Sequence, residues 1–165
     1  MGARSSSSSP SRTVLALIAL ACLAAVGFAL FAQYKLDMQP CPWCILQRVL
    51  FLLIAIVAGL GALIGGRVVT ALASLLTVPA AAAGVASAWY QHFVAAKTAS
   101  CNLTLADRIV SSIHLDTALP AAFEVRASCA DAASTLLGVP FEFWSLALFV
   151  LLALAGVWTI LRARG

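Results

Sequence analysis

Residues 44–64 read CILQRVLFLLIAIVAGLGALI and residues 68–88 read VVTALASLLTVPAAAAGVASA, joined by Gly65-Gly66-Arg67. Arg48 is the only charged residue in either stretch. A helix rises 1.5 Å per residue, so about 20 apolar residues cross a hydrocarbon layer about 30 Å thick. Both stretches meet that length. A backbone inside lipid must satisfy its own hydrogen bonds, so both are expected to be helices that cross, turn tightly and return. Working outward, residues 13–32 and 143–161 have the same length and character. The expected fold is an all-α membrane protein, a bundle of four transmembrane helices.

Composition agrees. Of the 165 residues, 63% are hydrophobic and only 10% are charged, where soluble domains carry roughly 25% charge. Mean hydropathy is +1.04. These values exclude a water-soluble enzyme and a disordered chain. The net charge of +4 does not suggest nucleic acid as a partner, because no cluster of Lys and Arg lies on a polar face. The first segment follows Arg4 and Arg12, the basic start that a signal peptide also has. Its 20 apolar residues exceed the usual apolar core of about 7–15, and Leu30 occupies a position where cleavage needs a small residue. It reads as an uncleaved span.

The loops suggest an orientation. Arg4, Arg12, Arg67, Arg162 and Arg164 fall on one face, which carries no acid. Lys35, Lys97, Arg108 and Arg126 share the other face with all six acids. Positive charge close to span ends marks the cytoplasmic side. Both termini are therefore expected in the cytoplasm, residues 1–12 as a disordered serine-rich tail and 162–165 as a short one. Two loops, 33–43 and 89–142, then face outward. The second is long enough to be functional. Within it Leu105, Ile109, Val110 and Ile113 recur at helical spacing, which predicts a short amphipathic helix, lying either on the membrane surface or on its own loop.

Of five cysteines, Cys22 lies within the first span and reads as a packing residue. Cys41, Cys44, Cys101 and Cys129 all fall in or beside the outward loops. Outside a bacterial inner membrane thiols pair, so structural bridges, a metal site and a redox relay compete. Zinc usually takes paired half-sites or close Cys/His spacing. Only one Cys-x-x-Cys is present, and His92 and His114 have no ligand spacing to it, so no metal is expected. A Cys101–Cys129 bridge would close a loop of 29 residues, worth about 3.5 kcal/mol in the chain-entropy model. A Cys41–Cys44 bridge closes almost nothing. That spacing suits one thiolate that attacks and a neighbour that resolves. The relay is favoured, and structural bridging stays open.

Cys44 opens the second span, where free N–H groups and the helix dipole favour a thiolate. Pro42 suits the first turn of a helix. Arg48 lies on the same face, about 6 Å deeper. It either snorkels to headgroups or sets a fixed positive charge beside the thiolate and a membrane electron acceptor. No Gly-rich dinucleotide motif, Cys-x-x-Cys-His or paired span histidine points to another carrier. A lipid-soluble quinone fits best.

The run Gln39-Pro40-Cys41-Pro42-Trp43-Cys44-Ile45-Leu46-Gln47-Arg48, four spans and a cysteine pair in the second loop resemble the DsbB family, over about Thr13 to Leu161. The resemblance implies a bacterial inner-membrane, protein-disulfide:quinone oxidoreductase. It implies that Cys41, Cys44, Cys101 and Cys129 are catalytic and that a DsbA-like periplasmic thioredoxin-fold protein is the partner. Reduced DsbA would attack a Cys101–Cys129 disulfide and form a mixed disulfide with Cys101. Cys129 would then pair with Cys41, leaving Cys44 as the thiolate facing ubiquinone or menaquinone. Arg48, and His92 just beyond the third span, would contact the quinone. His92 has an alternative as an interfacial aromatic-belt residue. A monomer is expected. Pro42-Trp43 departs from the family's best-known dipeptide, and Cys22 and the serine run have no counterpart in the relay. A vitamin K epoxide reductase-like protein would carry the two cysteine pairs in the reverse order. A relative serving another thiol partner and a non-enzymatic scaffold with structural disulfides are the remaining alternatives.

Overall fold

A computed structural model describes residues 9–97 and 105–164. Four long helices form the bundle: α1 (Pro10–Lys35), α2 (Pro42–Ile64), α3 (Arg67–Phe93) and α7 (Phe141–Arg164). All four are long and apolar enough to cross a membrane. Between α3 and α7 lie a 3₁₀ turn (Ala95–Lys97), α4 (Leu105–Ser112), two single turns, α5 (Leu115–Ala118) and α6 (Pro120–Phe123), and a hairpin of β1 (Thr135–Leu136) with β2 (Val139–Pro140). The hairpin turns at Leu137 and Gly138, both with positive φ, the backbone that a tight two-residue turn requires.

Each long helix buries one stripe and gives the rest to lipid. In α1 the inward residues Leu15, Ile18, Cys22 and Val26 follow helical spacing, while Leu17, Leu20, Leu23 and Phe31 stay exposed. On α2 the stripe is Phe51, Ile54, Ala55 and Ala58. Helix α1 packs on α2, α2 on α3 and α3 on α7; α7 touches α1 along the loosest of the four seams. Close approach of α3 and α7 depends on Gly84, whose missing Cβ leaves room for the buried Phe149 ring. Phe149 stacks on Phe51 with ring centroids 4.0 Å apart and planes 4° from parallel, which locks α2 against α7 at mid-depth. Small residues permit such contacts where no hydrophobic force draws helices together.

The helices run further than hydropathy alone places them. Helix α1 starts at Pro10, so Pro10–Arg12, expected in the tail, form its first turn. Arg12 Nε donates to the Ala62 carbonyl at 2.9 Å, satisfying one of the carbonyls that the end of α2 leaves free. Residues 1–8 lie outside the described residues. Helix α3 continues to Phe93 rather than stopping at residue 88, because Trp89, Tyr90 and Phe93 suit the interface and keep the helix favourable there.

The amphipathic helix of the second loop is α4. It seats Ala106 and Val110 on the start of α2, while Leu105, Ile109 and Ile113 remain exposed. A second cluster therefore forms above the bundle from Cys41, Trp43, Ile45, Ala106, Val110, Phe123 and Cys129.

A candidate redox site at the head of the second helix

Cys41 is the N-cap of α2 and Pro42 its first residue. Proline has no N–H to lose at that position, and its fixed φ favours the helix start. The Cys41 sulfur takes over the usual oxygen cap: Cys44 N–H donates to it at 3.3 Å. The Cys41 and Cys44 sulfurs are 2.7 Å apart. Cys41 is fully buried under Trp43 and α4, whereas Cys44 is half-buried.

Cys129 reaches the same point from the second loop. The Pro40 carbonyl accepts from Arg126 N–H at 3.0 Å and from Ala127 N–H at 3.3 Å. These two bonds clamp the loops together just before Cys129. The Cys41 thiol interacts with both the Cys129 and Cys44 sulfurs. Its hydrogen bond holds Cys129 below the usual thiol range, against the opposing effect of burial. Burial in turn pushes Cys41 well above that range, and the neighbouring Cys129 and Cys44 sulfurs add to the effect. Three of the four expected relay cysteines thus meet, with Cys41 in the middle. Cys101 lies outside the described residues. Cys22 is buried in α1, in the bundle core rather than in the cysteine cluster.

Arg48 is 5% exposed and does not snorkel. Its Nη1 donates to Gln33 Oε1 and to the Ala122 carbonyl, each at 2.7 Å, and its Nη2 to the Ala29 carbonyl at 3.3 Å. One guanidinium so ties α2 to α1 and to α6. The planar five-donor fork of arginine makes this possible.

Arg48 and Cys44 share the wall of a cavity of about 590 Å³. Helix α1 lines it with Phe28, Ala29 and Ala32, α2 with Phe51, and α7 with Phe141, Leu148 and Leu151; the hairpin closes the top with Leu136 and Leu137. The cavity lies along the loose α1–α7 seam. Its size falls within the range of small-molecule sites, roughly 300–1,000 Å³.

His92 is not part of that wall. It sits in the last turn of α3, with Nδ1 2.7 Å from Glu142 Oε1 and its ring against Phe143. Glu142 and the neighbouring Gln91 line the cavity instead. Gln91 Nε2 donates to Cys44 Sγ at 3.3 Å, and Gln47 Nε2 donates to Gln91 Oε1 at 2.7 Å. Sequence reasoning passed over Gln33, Gln47, Gln91 and Glu142. The available signal was their polarity at the heads of otherwise apolar helices, where a buried amide or acid must find a partner.

The family profile described as "Disulfide bond formation protein DsbB" matches residues 11–159. Disulfide bond formation protein B 1 of Pseudomonas syringae pv. syringae is 38% identical over 151 residues, 91% of this chain and 89% of that protein. Disulfide bond formation protein B of Burkholderia pseudomallei is 36% identical over 155 residues, 93% of this chain and 92% of that protein. Its namesake in Polaromonas is 34% identical over 154 residues, 92% and 91% of the two chains. With near-complete coverage, four apolar helices and a cysteine cluster at the head of α2, this chain belongs to the DsbB family of membrane disulfide bond formation proteins.

Proposed function

We propose that the protein reoxidises a DsbA-like periplasmic thioredoxin-fold protein and passes two electrons through two cysteine pairs to a membrane quinone. Its main support is the position of Cys41, buried between Cys129 and Cys44, with Cys44 alone of the three on the cavity wall. A thiol exchange needs an attacking sulfur in line with the bond it breaks. Cys129, held toward the thiolate by its surroundings, is the attacking sulfur. It bonds to Cys41 of an oxidised Cys41–Cys44 pair and releases Cys44 as thiolate. The partner's second thiol then displaces Cys101 and the partner leaves as a disulfide; Cys101 takes Cys129 back from Cys41, so that the two electrons and two protons reside on Cys41 and Cys44, whose disulfide re-forms as the electrons pass on.

The residues present fit a quinone. Apolar side chains from α1 and α7 would hold a flat ring and its lipid tail, and Arg48 supplies a fixed charge at the cysteine end. A bound ubiquinone or menaquinone would accept the two electrons and two protons as Cys41–Cys44 closes. Around it, Arg48 stabilises negative charge, and Phe28, Phe141 and Leu148 exclude water. The seam between α1 and α7 faces lipid, the medium from which such a ligand arrives. The protein would work as a monomer in the bacterial inner membrane, with the cysteines in the oxidising periplasm and both termini in the cytoplasm.

The test mixes purified protein with reduced DsbA and a soluble ubiquinone analogue and follows quinone absorbance. Quinone loss is expected only when both DsbA and Cys44 are present. Equal rates in wild type and Cys44→Ser would overturn the proposal. Loss that needs Cys44 but responds to a different dithiol would reassign the partner alone.

A further inference from the structure

Two buried carboxamides meet the sulfur that faces the cavity. Gln91 on α3 is 6% exposed and Gln47 on α2 is 4% exposed. Gln47 lies three residues after Cys44 and so shares its helix face. The hydrogen bonds run in one direction, from Gln47 Nε2 to Gln91 Oε1 at 2.7 Å and from Gln91 Nε2 to Cys44 Sγ at 3.3 Å. Arg48 makes no such bond: its Nη1 and Nη2 donate to Gln33, Ala122 and Ala29. Its charge reaches the sulfur through space, while the directed donor from α3 is an amide.

We propose that Gln91 is a catalytic residue that holds Cys44 as the thiolate, and that Gln47 is the positioning residue that keeps its N–H on the sulfur. A glutamine amide offers a donor at one end and an acceptor at the other. With its oxygen held by Gln47, only its N–H end can face Cys44, and a bond from N–H to an anion is about twice as strong as one to a neutral group. An interhelical Gln–Gln bond is also a packing device in membrane bundles, but packing does not require a second bond to a reactive sulfur. The assignment deepens the proposed relay, because it explains which sulfur of the pair is the outgoing thiolate. The other titratable or charged groups around Cys44 are Cys41 beside it, Arg48 one turn along α2, Cys129 from the second loop through Cys41, and Glu142 of α7 on the same cavity wall. Helix α1 contributes the Gln33 amide.

The experiment uses reduced full-length protein in detergent, with neither quinone nor thiol partner. N-ethylmaleimide labelling of Cys44 is followed by peptide mass spectrometry as a function of pH. For Gln91→Leu, labelling at neutral pH should slow about tenfold and recover at alkaline pH, as expected for a shift of one pKa unit. Gln91→Glu keeps the shape and puts an acceptor on the sulfur, so it should slow labelling further. Gln47→Leu should fall between wild type and Gln91→Leu. Cys129, which bonds to Cys41 instead, is the internal control. Superimposable profiles for wild type and Gln91→Glu would overturn the proposal. So would equal slowing of Cys44 and Cys129, because the effect would then not be specific to the sulfur that Gln91 touches, or faster labelling in Gln91→Leu, which would mean that the carbonyl faces the sulfur. Because no quinone is present, each of these results leaves the thiol-to-quinone assay to be judged by itself.

Discussion

His92 Nδ1 on α3 and Glu142 Oε1 on α7 are 2.7 Å apart, and Glu142 is the carboxylate on the cavity wall among the described residues. The pair joins the last turn of one span to the first turn of another. It also places the acid, rather than the imidazole, toward the cavity. His92→Ala leaves a carboxylate that is 6% exposed without its partner, at an expected cost of about 1–3 kcal/mol. Adding Glu142→Gln should cost less than the sum of the single changes. Thermal unfolding of the four proteins in detergent measures the coupling. Strict additivity would show that the two side chains do not support each other.

Arg48→Ala removes three hydrogen bonds and the charge beside Cys44. In a quinone assay the KM for the analogue should rise about tenfold or more, since hydrogen bonds to charged groups are worth about 1.5–3 kcal/mol. Arg48→Lys should recover only part of this, because an ammonium cannot reach Gln33, Ala29 and Ala122 together. An unchanged KM in Arg48→Ala would assign this residue to structure alone.

The Cys41 thiol keeps Cys129 below the usual thiol range. A depressed value means that Cys129 remains a thiolate at pH values where an ordinary thiol is already protonated. Cys41→Ala removes the largest of the lowering influences and leaves burial, which acts in the opposite direction, with the Trp43 backbone as a weaker stabiliser of the thiolate. Cys129 alkylation at mildly acidic pH should then slow and return only as pH rises, while Cys41→Ser, with a hydroxyl donor, should retain part of the rate. Rates that ignore Cys41 would break the link between the two loops.

Gly84→Ala should destabilise the bundle by about 1–3 kcal/mol, the usual cost of overpacking. The new methyl would overlap the Phe149 ring. Phe149→Leu in the same chain should return part of the loss, and thermal unfolding compares the three. A Gly84→Ala protein as stable as wild type would show that α3 and α7 can separate without cost.

Hydropathy and length were enough to place four spans, because a helix in lipid is dictated locally: each residue adds 1.5 Å and every backbone group must bond within the segment. Cys41-Pro42-Trp43-Cys44 and Arg48 were legible for a similar reason, since spacing along a single helix start fixes their shared face. The ends of the helices were less so. Arg12 belongs to α1 because carbonyls at the far end of α2 accept from it, and no window around residue 12 contains them.

Reading along the chain was enough for the membrane class, the span count and the presence of a thiol pair at a helix head. Tertiary structure alone decided that Cys129 arrives at Cys41, through the Pro40 carbonyl and the amides of residues 126 and 127. It also decided that Arg48 is anchored by Gln33 and Ala122 rather than drawn to headgroups, and that Gln91 touches Cys44 while His92 turns to Glu142. These partners lie 15 to 74 positions from Arg48, 47 from Cys44 and 50 from His92. Such pairings depend on how loops close and helices rotate against one another. A buried polar side chain announces that it needs a partner, and only the packed bundle determines which one it receives.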